Sequence, residues 1–346
     1  MRSLLRKSYF KLILISYLIF IVLFYVLNTY GSFTQVLKHE CQCFSHEKVL
    51  IKKHNLFYYD LEFMNKVYRY NWNLPLFTCD LFRSIKRGPN QKIISYSLYG
   101  KDEFYYKLIT NLTQRVSEVY PDYVMRIYHD DSIDKSIICQ LECSNSHVEF
   151  CDINKIPLSL NDLNKVLNLD YIHAMMWRFL PIGDSFVDLF MSRDTDSVIL
   201  QREVDAVQEW IDSEHKGHIM RDNREHGTEI LGGMWGFKSS LDRYLSNHIY
   251  NLIIDRKLSV KYKPNGTDAK GYDQKFLSNH IYEKINLLSL VHDSYTCKTY
   301  ANSRPYPSQR IGNCFIGSAG DCDTKAKFDQ CPLECRPKDH LDWTSC

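Results

Sequence analysis

Two aspartates one residue apart, Asp194 and Asp196, are the side chains of this sequence best suited to chemistry. They follow an apolar run at residues 186–191 and precede another at residues 198–200. Such a run predicts a buried strand that ends where the aspartates begin. Paired carboxylates at a strand end can hold a hard divalent cation, which in turn can hold phosphate oxygens. The segment therefore predicts a metal site for a phosphate-bearing ligand.

Strands and helices alternate along the chain on both sides of this pair. Apolar runs predict strands at residues 92–98, 123–128, 147–151, 186–191, 218–221 and 288–293. Apolar spacing of three and four predicts helices at residues 104–119, 163–180 and 204–211. This alternation predicts a mainly parallel sheet with helices on both faces, which binds ligands beyond the carboxyl ends of its strands. We expect Asp194 and Asp196 at that edge.

The Asp194-Thr195-Asp196 triplet after such a strand resembles the Asp-x-Asp motif of metal-dependent nucleotide-sugar glycosyltransferases of the GT-A fold. The resemblance extends over roughly residues 90–296. It implies an α/β domain of GT-A type in which Asp194 and Asp196 hold Mn²⁺ or Mg²⁺ as cofactor. It also implies a UDP- or GDP-linked sugar as donor and a glycan, glycoprotein or glycolipid as acceptor. The expected activity is transfer of a sugar, with a hexose favoured.

The same resemblance implies a set of donor-binding residues: Ser97, Tyr99, Arg178, Arg193, Asp194, Gly232, Gly233 and Trp235. In similar transferases an arginine at the place of Arg178 reaches the donor diphosphate or sugar. The two glycines match a loop under the donor sugar, where a missing side chain lets backbone approach a ligand. An exposed Trp235 could stack on a sugar face. The alternatives are a solvated helix arginine at position 178 and a core tryptophan after a tight turn.

Two downstream positions complete the implied site. Asp273 and Gln274 match an Asp-Gln pair that lies near the anomeric carbon or orders the acceptor, and Asp273 is our candidate base for an inverting reaction. His292 ends the last predicted strand, where retaining members of the family place a third metal ligand, and neutral imidazole suits manganese. Alternatively, Asp273 only caps the following amphipathic helix and His292 is structural.

Composition bounds the class of protein. The chain has 346 residues with 45% hydrophobic and 24% charged content, which fits one large domain with accessories. Its net charge of +2 argues against a nucleic-acid binder, which would usually be more basic.

The N-terminus predicts a membrane anchor. Residues 12–27 are nearly all apolar, and no charged residue lies between Lys11 and Lys38, so about 20 residues can cross a bilayer. Arg2, Arg6 and Lys7 precede this run, which predicts a cytosolic N-terminus. We expect a single-pass type II signal-anchor in the Golgi or ER membrane rather than a cleaved signal peptide.

Cysteine usage agrees with a luminal location. All 12 cysteines follow the apolar run, and an even count there predicts disulfides in an oxidising compartment. The last six, from Cys297, predict a disulfide-stapled tail, whereas zinc at Cys331 and Cys335 lacks a second ligand pair. Glycosylation sequons begin at Asn111 and Asn265.

The sequence thus predicts five segments: a cytosolic tail (1–11), a transmembrane signal-anchor (12–30), a luminal stem (31–88), a GT-A glycosyltransferase domain (89–296) and a Cys-rich tail (297–346). Two other classes stay open. A haloacid-dehalogenase-like phosphatase would use Asp194 as nucleophile, but an α/β pattern here precedes a motif that normally opens its domain. The other class is a non-catalytic, disulfide-rich luminal protein.

Overall fold

The structure is a computed structural model. It describes residues 2–30, 32–54, 58–71, 73–263, 270–300, 302–320, 323–325 and 329–346. The sequon at Asn265 and Cys322 lie outside the described residues. The chain divides into two compact units, Met1–Pro75 and Leu76–Cys346.

The first unit contains a helix followed by a small antiparallel sheet. Its helix is α1 (Arg2–Tyr30), and its strands are β1 (Phe33–Leu37), β2 (Val49–Lys53), β3 (Tyr59–Phe63) and β4 (Lys66–Tyr70), paired in that order. The sequence predicted a stem here without strands. Each strand has only five residues, so the alternation that buries Val49 and Ile51 is too short to stand out.

In the described part of the chain, no helix combines the length and the apolar character needed to cross a membrane. The signal-anchor therefore stays a prediction.

The second unit is built on an eight-stranded sheet. Its strands are β5 (Gln91–Leu98), β6 (Val124–His129), β7 (Val148–Asp152), β10 (Val187–Ser192), β11 (Gly217–Arg221), β12 (Trp235–Phe237), β13 (Ser289–Asp293) and β14 (Ser303–Arg304). The order across the sheet is β14-β13-β11-β12-β10-β5-β6-β7. Only β12 runs antiparallel to its neighbours β10 and β11. The prediction of a mainly parallel α/β sheet is confirmed.

Helices cover both faces of this sheet. They are α2 (Leu81–Arg87), α3 (Glu103–Val119), α4 (Lys135–Ser144), α5 (Gln201–Asp212), α6 (Arg243–Ile253), α7 (Arg256–Ser259), α8 (Tyr272–His280) and α9 (Tyr282–Ile285). One core cluster joins the sheet to α3 and α5 through Val116 and Trp210. A second core cluster joins it to α6 and α8 through Ile253 and Phe276.

The helix predicted at residues 163–180 is wrong over its first half. That region holds the hairpin of β8 (Pro157–Ser159) and β9 (Asp162–Val166), and a 3-10 helix follows at Ala174–Gly183. The side chain of Asp162 accepts the backbone N–H of Asn164, which favours a local turn over a helical start. Helix α4 was not predicted.

The predicted domain boundary near Gly88 lies inside the second unit. Gly88 has φ 76° and caps α2, so its turn signal marks a helix end. A disulfide between Cys79 and Cys151 joins the segment before α2 to β7.

Disulfides also staple the C-terminal tail, as predicted: Cys297 pairs with Cys335, and Cys331 pairs with Cys346. Because Cys331 and Cys335 are both oxidised, they are not zinc thiolates. None of the described cysteines is free.

Candidate functional site

A cavity of about 790 Å³ opens at the carboxyl edge of the large sheet. It lies beyond the ends of β5 and β10, where a mainly parallel sheet normally binds its ligands. The structure brings most of the sequence-predicted site residues to it. Those that line the cavity are Ser97, Tyr99, Arg178, Asp194, Asp196, Gly232, Gly233, Asp273 and Gln274.

Backbone contacts set the position of the aspartate pair. The hydrogen bonding between β10 and β5 extends one residue beyond β10, because Arg193 N–H donates to the Ser95 carbonyl at 3.0 Å. The chain then turns, because Ser197 N–H donates to the Asp194 carbonyl at 3.4 Å. The Asp196 carbonyl accepts the N–H of Gly320 at 3.0 Å, so the tail holds the far side of the turn.

Arg178 is clamped between two carboxylates of the cavity. Its Nη1 donates to Asp194 Oδ1, and its Nη2 donates to Asp273 Oδ2 at 2.7 Å. Only 5% of its side chain is exposed, against 33% for Asp194 and 3% for Asp273. Its backbone N–H donates to Ser97 Oγ at 3.1 Å. The guanidinium is therefore a fixed positive charge within the cavity wall.

Gly232 and Gly233 leave room for this ion network. A Cβ at Gly232 would overlap Asp273 Oδ2 and Arg178 Nη2, and a Cβ at Gly233 would overlap the Asp194 carboxylate. Ser192 Oγ donates to the Gly232 carbonyl at 2.7 Å and fixes the glycine pair against β10. The two glycines thus allow a close approach to their backbone, as predicted, but the groups that approach are side chains of the protein's own site.

Asp273 lies in the first turn of α8, where a carboxylate is favoured by the helix dipole. It is not the cap of that helix, because the N-cap residue is Gly271 with φ 81°. Asp273 Oδ1 has no hydrogen-bond partner among the described residues, and neither does the amide of Gln274. Both groups remain available to a ligand.

The surroundings of Asp196 offset its negative charge only in part, through the more distant cations Lys270 and Arg178. Burial, followed by the negative charge of Asp194, raises the pKa of its carboxyl above the ordinary value. Within the described ranges Asp196 forms no ion pair. Two neighbouring carboxylates, one of them unpaired and partly buried, fit the oxygen-ligand preference of Mn²⁺ or Mg²⁺.

Arg193, predicted to bind the donor, lies outside the cavity lining. Its side chain is fully buried behind β10, where Nε donates to Glu203 Oε1 of α5 at 2.6 Å. Nη1 donates to the Ser192 carbonyl at 2.8 Å. The donor-binding role is corrected to a structural one, because these contacts hold the arginine between the sheet and α5.

Trp235 and His292 are also turned away from the cavity. Trp235 has no exposed surface and packs edge-to-face on Phe179 and Phe190, so it cannot stack on a sugar. His292 is fully buried and hydrogen-bonds His218 at 2.9 Å and Glu209 at 2.9 Å. The alternatives are correct here: Trp235 is a core residue and His292 is structural.

Several cavity residues were missed by the sequence analysis: Asp102, Tyr105, Met175, His226, Lys270, Gly317 and Ala319. Lys270 lies three residues before Asp273, and proximity to the Asp-Gln pair was its one available signal. Gly317 and Ala319 come from the tail, and nothing in their local sequence indicates that the tail returns to the sheet edge.

No protein-family model matches the chain, and no curated protein matches it. Among solved structures, a glycosyltransferase involved in glycosylation of the major capsid of PBCV-1 is 12% identical with a TM-score of 0.34, over 59% of this chain and 82% of that one. The galactosyltransferase LgtC, with donor and acceptor sugar analogs, is 13% identical with a TM-score of 0.35, over 60% and 74%.

The mannosyltransferase PcManGT from Pyrobaculum calidifontis, in complex with GDP-Man and Mn²⁺, is 12% identical with a TM-score of 0.31. The match covers 55% of this chain and 53% of that one. At TM-scores this low, the likeness does not extend to any residue or activity of this chain.

Proposed function

We propose that this protein is a metal-dependent glycosyltransferase of GT-A type that moves a sugar from a UDP- or GDP-linked donor to a glycan, glycoprotein or glycolipid. The observation that carries the proposal is the Arg178 clamp, which joins Asp194 to Asp273 in the wall of a cavity at the carboxyl edge of the sheet. The Asp-x-Asp resemblance implies metal-dependent sugar transfer. The clamp connects the two segments that carry the resemblance, one with Asp194 and one with Asp273.

Asp194 and Asp196 would hold the cation, because both line the cavity and Asp196 forms no salt bridge among the described residues, with Lys270 and Arg178 acting on it only through longer-range electrostatics. When bound, Mn²⁺ or Mg²⁺ supplies a Lewis acid that offsets charge on a departing nucleoside diphosphate.

Arg178 adds a preorganised positive charge beside the same oxygens. Because Asp194 and Asp273 hold its guanidinium in place, it needs no reorganisation when charge develops on the leaving group. Lys270, exposed at the cavity and without an ion pair among the described residues, is a second cation for the diphosphate.

Asp273 and Gln274 face the reacting sugar in this proposal. Asp273 Oδ2 is bound to Arg178, so Oδ1 is the oxygen that can accept a hydroxyl proton from the acceptor if the reaction inverts. Gln274 orients a sugar hydroxyl through its amide, which has no partner in the described part of the chain. Ser97 and Tyr99 lie at the end of β5 and bound the donor end of the cavity.

The test is hydrolysis of UDP- and GDP-sugars by the full-length chain with Mn²⁺ or Mg²⁺, since transferases commonly hydrolyse their donor slowly without acceptor. We expect release of sugar from one donor only when the metal is present, and loss of that release in Asp196→Ala. Wild-type turnover by the variant would refute the metal role. Hydrolysis of phosphate monoesters instead would favour the phosphatase.

The location in a Golgi or ER membrane, with a luminal catalytic unit, is part of the proposal and rests on the sequence. It is supported by the basic residues before the apolar run and by the disulfides at Cys79–Cys151 and in the tail.

A further inference from the structure

His226 is a cavity residue that the proposed reaction does not yet use. It lies in the loop between β11 and β12, and the backbone bond from its N–H to the Asn223 carbonyl, 3.0 Å, holds it in a turn. Its ring packs edge-to-face on Phe315 with the centroids 5.5 Å apart. A Cβ at Gly317 would lie 3.6 Å from its Cε1. The imidazole is therefore enclosed between its own loop and the tail.

The hydrogen bond at Nδ1 determines which ring nitrogen carries the proton. Asp222 N–H donates to His226 Nδ1 at 3.1 Å. A nitrogen that accepts a backbone N–H carries no proton, so the neutral ring must be protonated at Nε2. Burial lowers the pKa of His226 to about 4, and the ring is therefore neutral at physiological pH.

Nε2 is the free end of this arrangement. It has no hydrogen-bond partner among the described residues. It is also not fully buried, because it is absent from the fully buried polar atoms of these residues that lack a partner. A neutral N–H donor at a cavity wall binds an acceptor, and it cannot coordinate a cation in this tautomer because the protonated nitrogen has no in-plane lone pair.

The position of the ring relative to the aspartate pair points to the acceptor. Gly233 lies against the Asp194 carboxylate. The side chain of the next residue, Met234, and the ring of His226 both lie beside Gly317. The same wall thus carries the carboxylates for the cation and the imidazole N–H. Oxygens of a diphosphate held by that cation are the charged acceptors expected there.

We propose that His226 Nε2–H donates a hydrogen bond to a phosphate oxygen of the donor's diphosphate and so acts as a positioning residue for the leaving group. The inference rests on the proposed function, because it takes the ligand of Asp194 and Asp196 to be a metal-bound diphosphate. The tail contributes to catalysis indirectly, since Phe315 and Gly317 hold the imidazole in place.

The test compares binding to the full-length wild type, His226→Phe and His226→Gln. Phenylalanine keeps a planar ring and removes the donor, whereas the glutamine amide can place an N–H near the position of Nε2. His248→Phe, an exposed position on α6, is the matched control. The probes are Mn²⁺ alone, pyrophosphate with Mn²⁺, and whichever of UDP or GDP the wild type binds with Mn²⁺, each by titration calorimetry.

We expect His226→Phe to bind Mn²⁺ alone as the wild type does and to bind both diphosphate probes at least roughly tenfold more weakly, as for loss of a hydrogen bond to a charged group. His226→Gln should recover most of that affinity, and His248→Phe should show no change. Nitrogen-15 NMR of the wild type should show His226 protonated at Nε2 and unprotonated at Nδ1.

Three results would overturn the inference. Unchanged diphosphate affinity in His226→Phe would remove the contact. Weaker binding of Mn²⁺ alone would make His226 a metal ligand instead. Weaker nucleotide binding with unchanged pyrophosphate binding would place the contact on the nucleoside. Failure of the wild type to bind any diphosphate with Mn²⁺ is a separate outcome, which would refute the proposed function and the inference with it.

Discussion

At the residue scale, the candidate site depends on how a buried arginine is neutralised. Arg178 carries a full charge with 5% of its side chain exposed, and Asp194 and Asp273 supply the compensating carboxylates. Loss of one partner of a buried ion pair typically costs about 3–5 kcal/mol, because the other charge is left unpaired. The geometry around this pair is therefore sensitive to small changes.

Gly232→Ala tests that sensitivity without removing any charged group. The new Cβ would overlap Asp273 Oδ2 and Arg178 Nη2, so we expect the clamp to separate at a cost of about 1–3 kcal/mol in the free energy of unfolding. Donor hydrolysis should fall at least tenfold, as about 1.4 kcal/mol of lost transition-state stabilisation would require.

Gly227→Ala is the matched control, because a Cβ there meets no atom within 4 Å. Its stability should stay within about 0.5 kcal/mol of the wild type. Denaturant unfolding and donor hydrolysis measure both variants. Full activity in Gly232→Ala would show that the clamp is not needed.

Asp196→Asn separates function from stability. The folded protein raises the pKa of Asp196, so its ionisation opposes folding once the pH rises above its ordinary value. We expect the metal-free variant to be at least as stable as the wild type at pH 7 and to lose this advantage below about pH 4, where both states are protonated. A clear loss of stability at pH 7, measured by denaturant unfolding with a chelator, would contradict the assigned environment.

At the element scale, one carboxylate joins the tail to the sheet. Asp222 follows β11 and is fully buried, with Arg202 of α5 at 3.1 Å, Arg310 of the tail at 2.7 Å and Ile316 N–H at 3.0 Å. The same residue donates its backbone N–H to His226. The arrangement places the tail against the cavity wall.

Acid should weaken this junction. Burial alone would raise the Asp222 pKa, but Arg202 and Arg310 outweigh burial and lower the pKa from 3.8 to about 2. A lowered folded-state pKa stabilises the fold above the unfolded value, and that stability is lost as the pH falls from about 4 to about 2. The contribution is about 2 kcal/mol at neutral pH.

Asp222→Asn should abolish that pH dependence and destabilise the protein by about 3–5 kcal/mol at pH 7, since two buried arginines lose their partner. Asp205→Asn, a partly exposed position on α5, is the control. Chemical unfolding from pH 7 to pH 2 gives both curves. Parallel wild-type and Asp222→Asn curves below pH 4 would show that Asp222 is not the group responsible.

The elements near the aspartate pair were more predictable than those elsewhere. Strands β5, β6 and β10 have six to eight residues, most of them buried, so their pattern is visible in the sequence. Helix α4 has only ten residues, so the spacing of Ile138 and Leu141 is too short a pattern to stand out. The hairpin of β8 and β9 is short, and the turn at Asp162 carries no clear period.

At the scale of the whole molecule, the cavity residues that could be predicted are those whose role is visible in their own segment of the sequence. Asp194, Asp273 and Gly232 have such signals in residue type and spacing. His226 and Gly317 do not, because their positions depend on the tail returning to the sheet edge. Arg193 and Trp235 had suitable chemistry but lie in the interior, and burial of that kind depends on packing between distant segments.

The proposed type II orientation predicts that the second unit lies within sealed vesicles. Added protease should leave a C-terminal epitope intact until detergent is present, because the unit would be luminal. Leu18→Arg with Val22→Arg should release the protein from membranes at alkaline pH, since each central arginine costs about 2.5–3.5 kcal/mol on insertion scales. Digestion of the epitope in intact vesicles would contradict the orientation.

Calorimetric titration of UDP and GDP into the full-length chain, with and without Mn²⁺, tests the central proposal most directly. We predict that one nucleotide binds the wild type only when Mn²⁺ is present and that Asp196→Asn abolishes this binding while remaining folded. Equal nucleotide affinity in the wild type and the variant, or no binding to the wild type under either condition, would contradict the account.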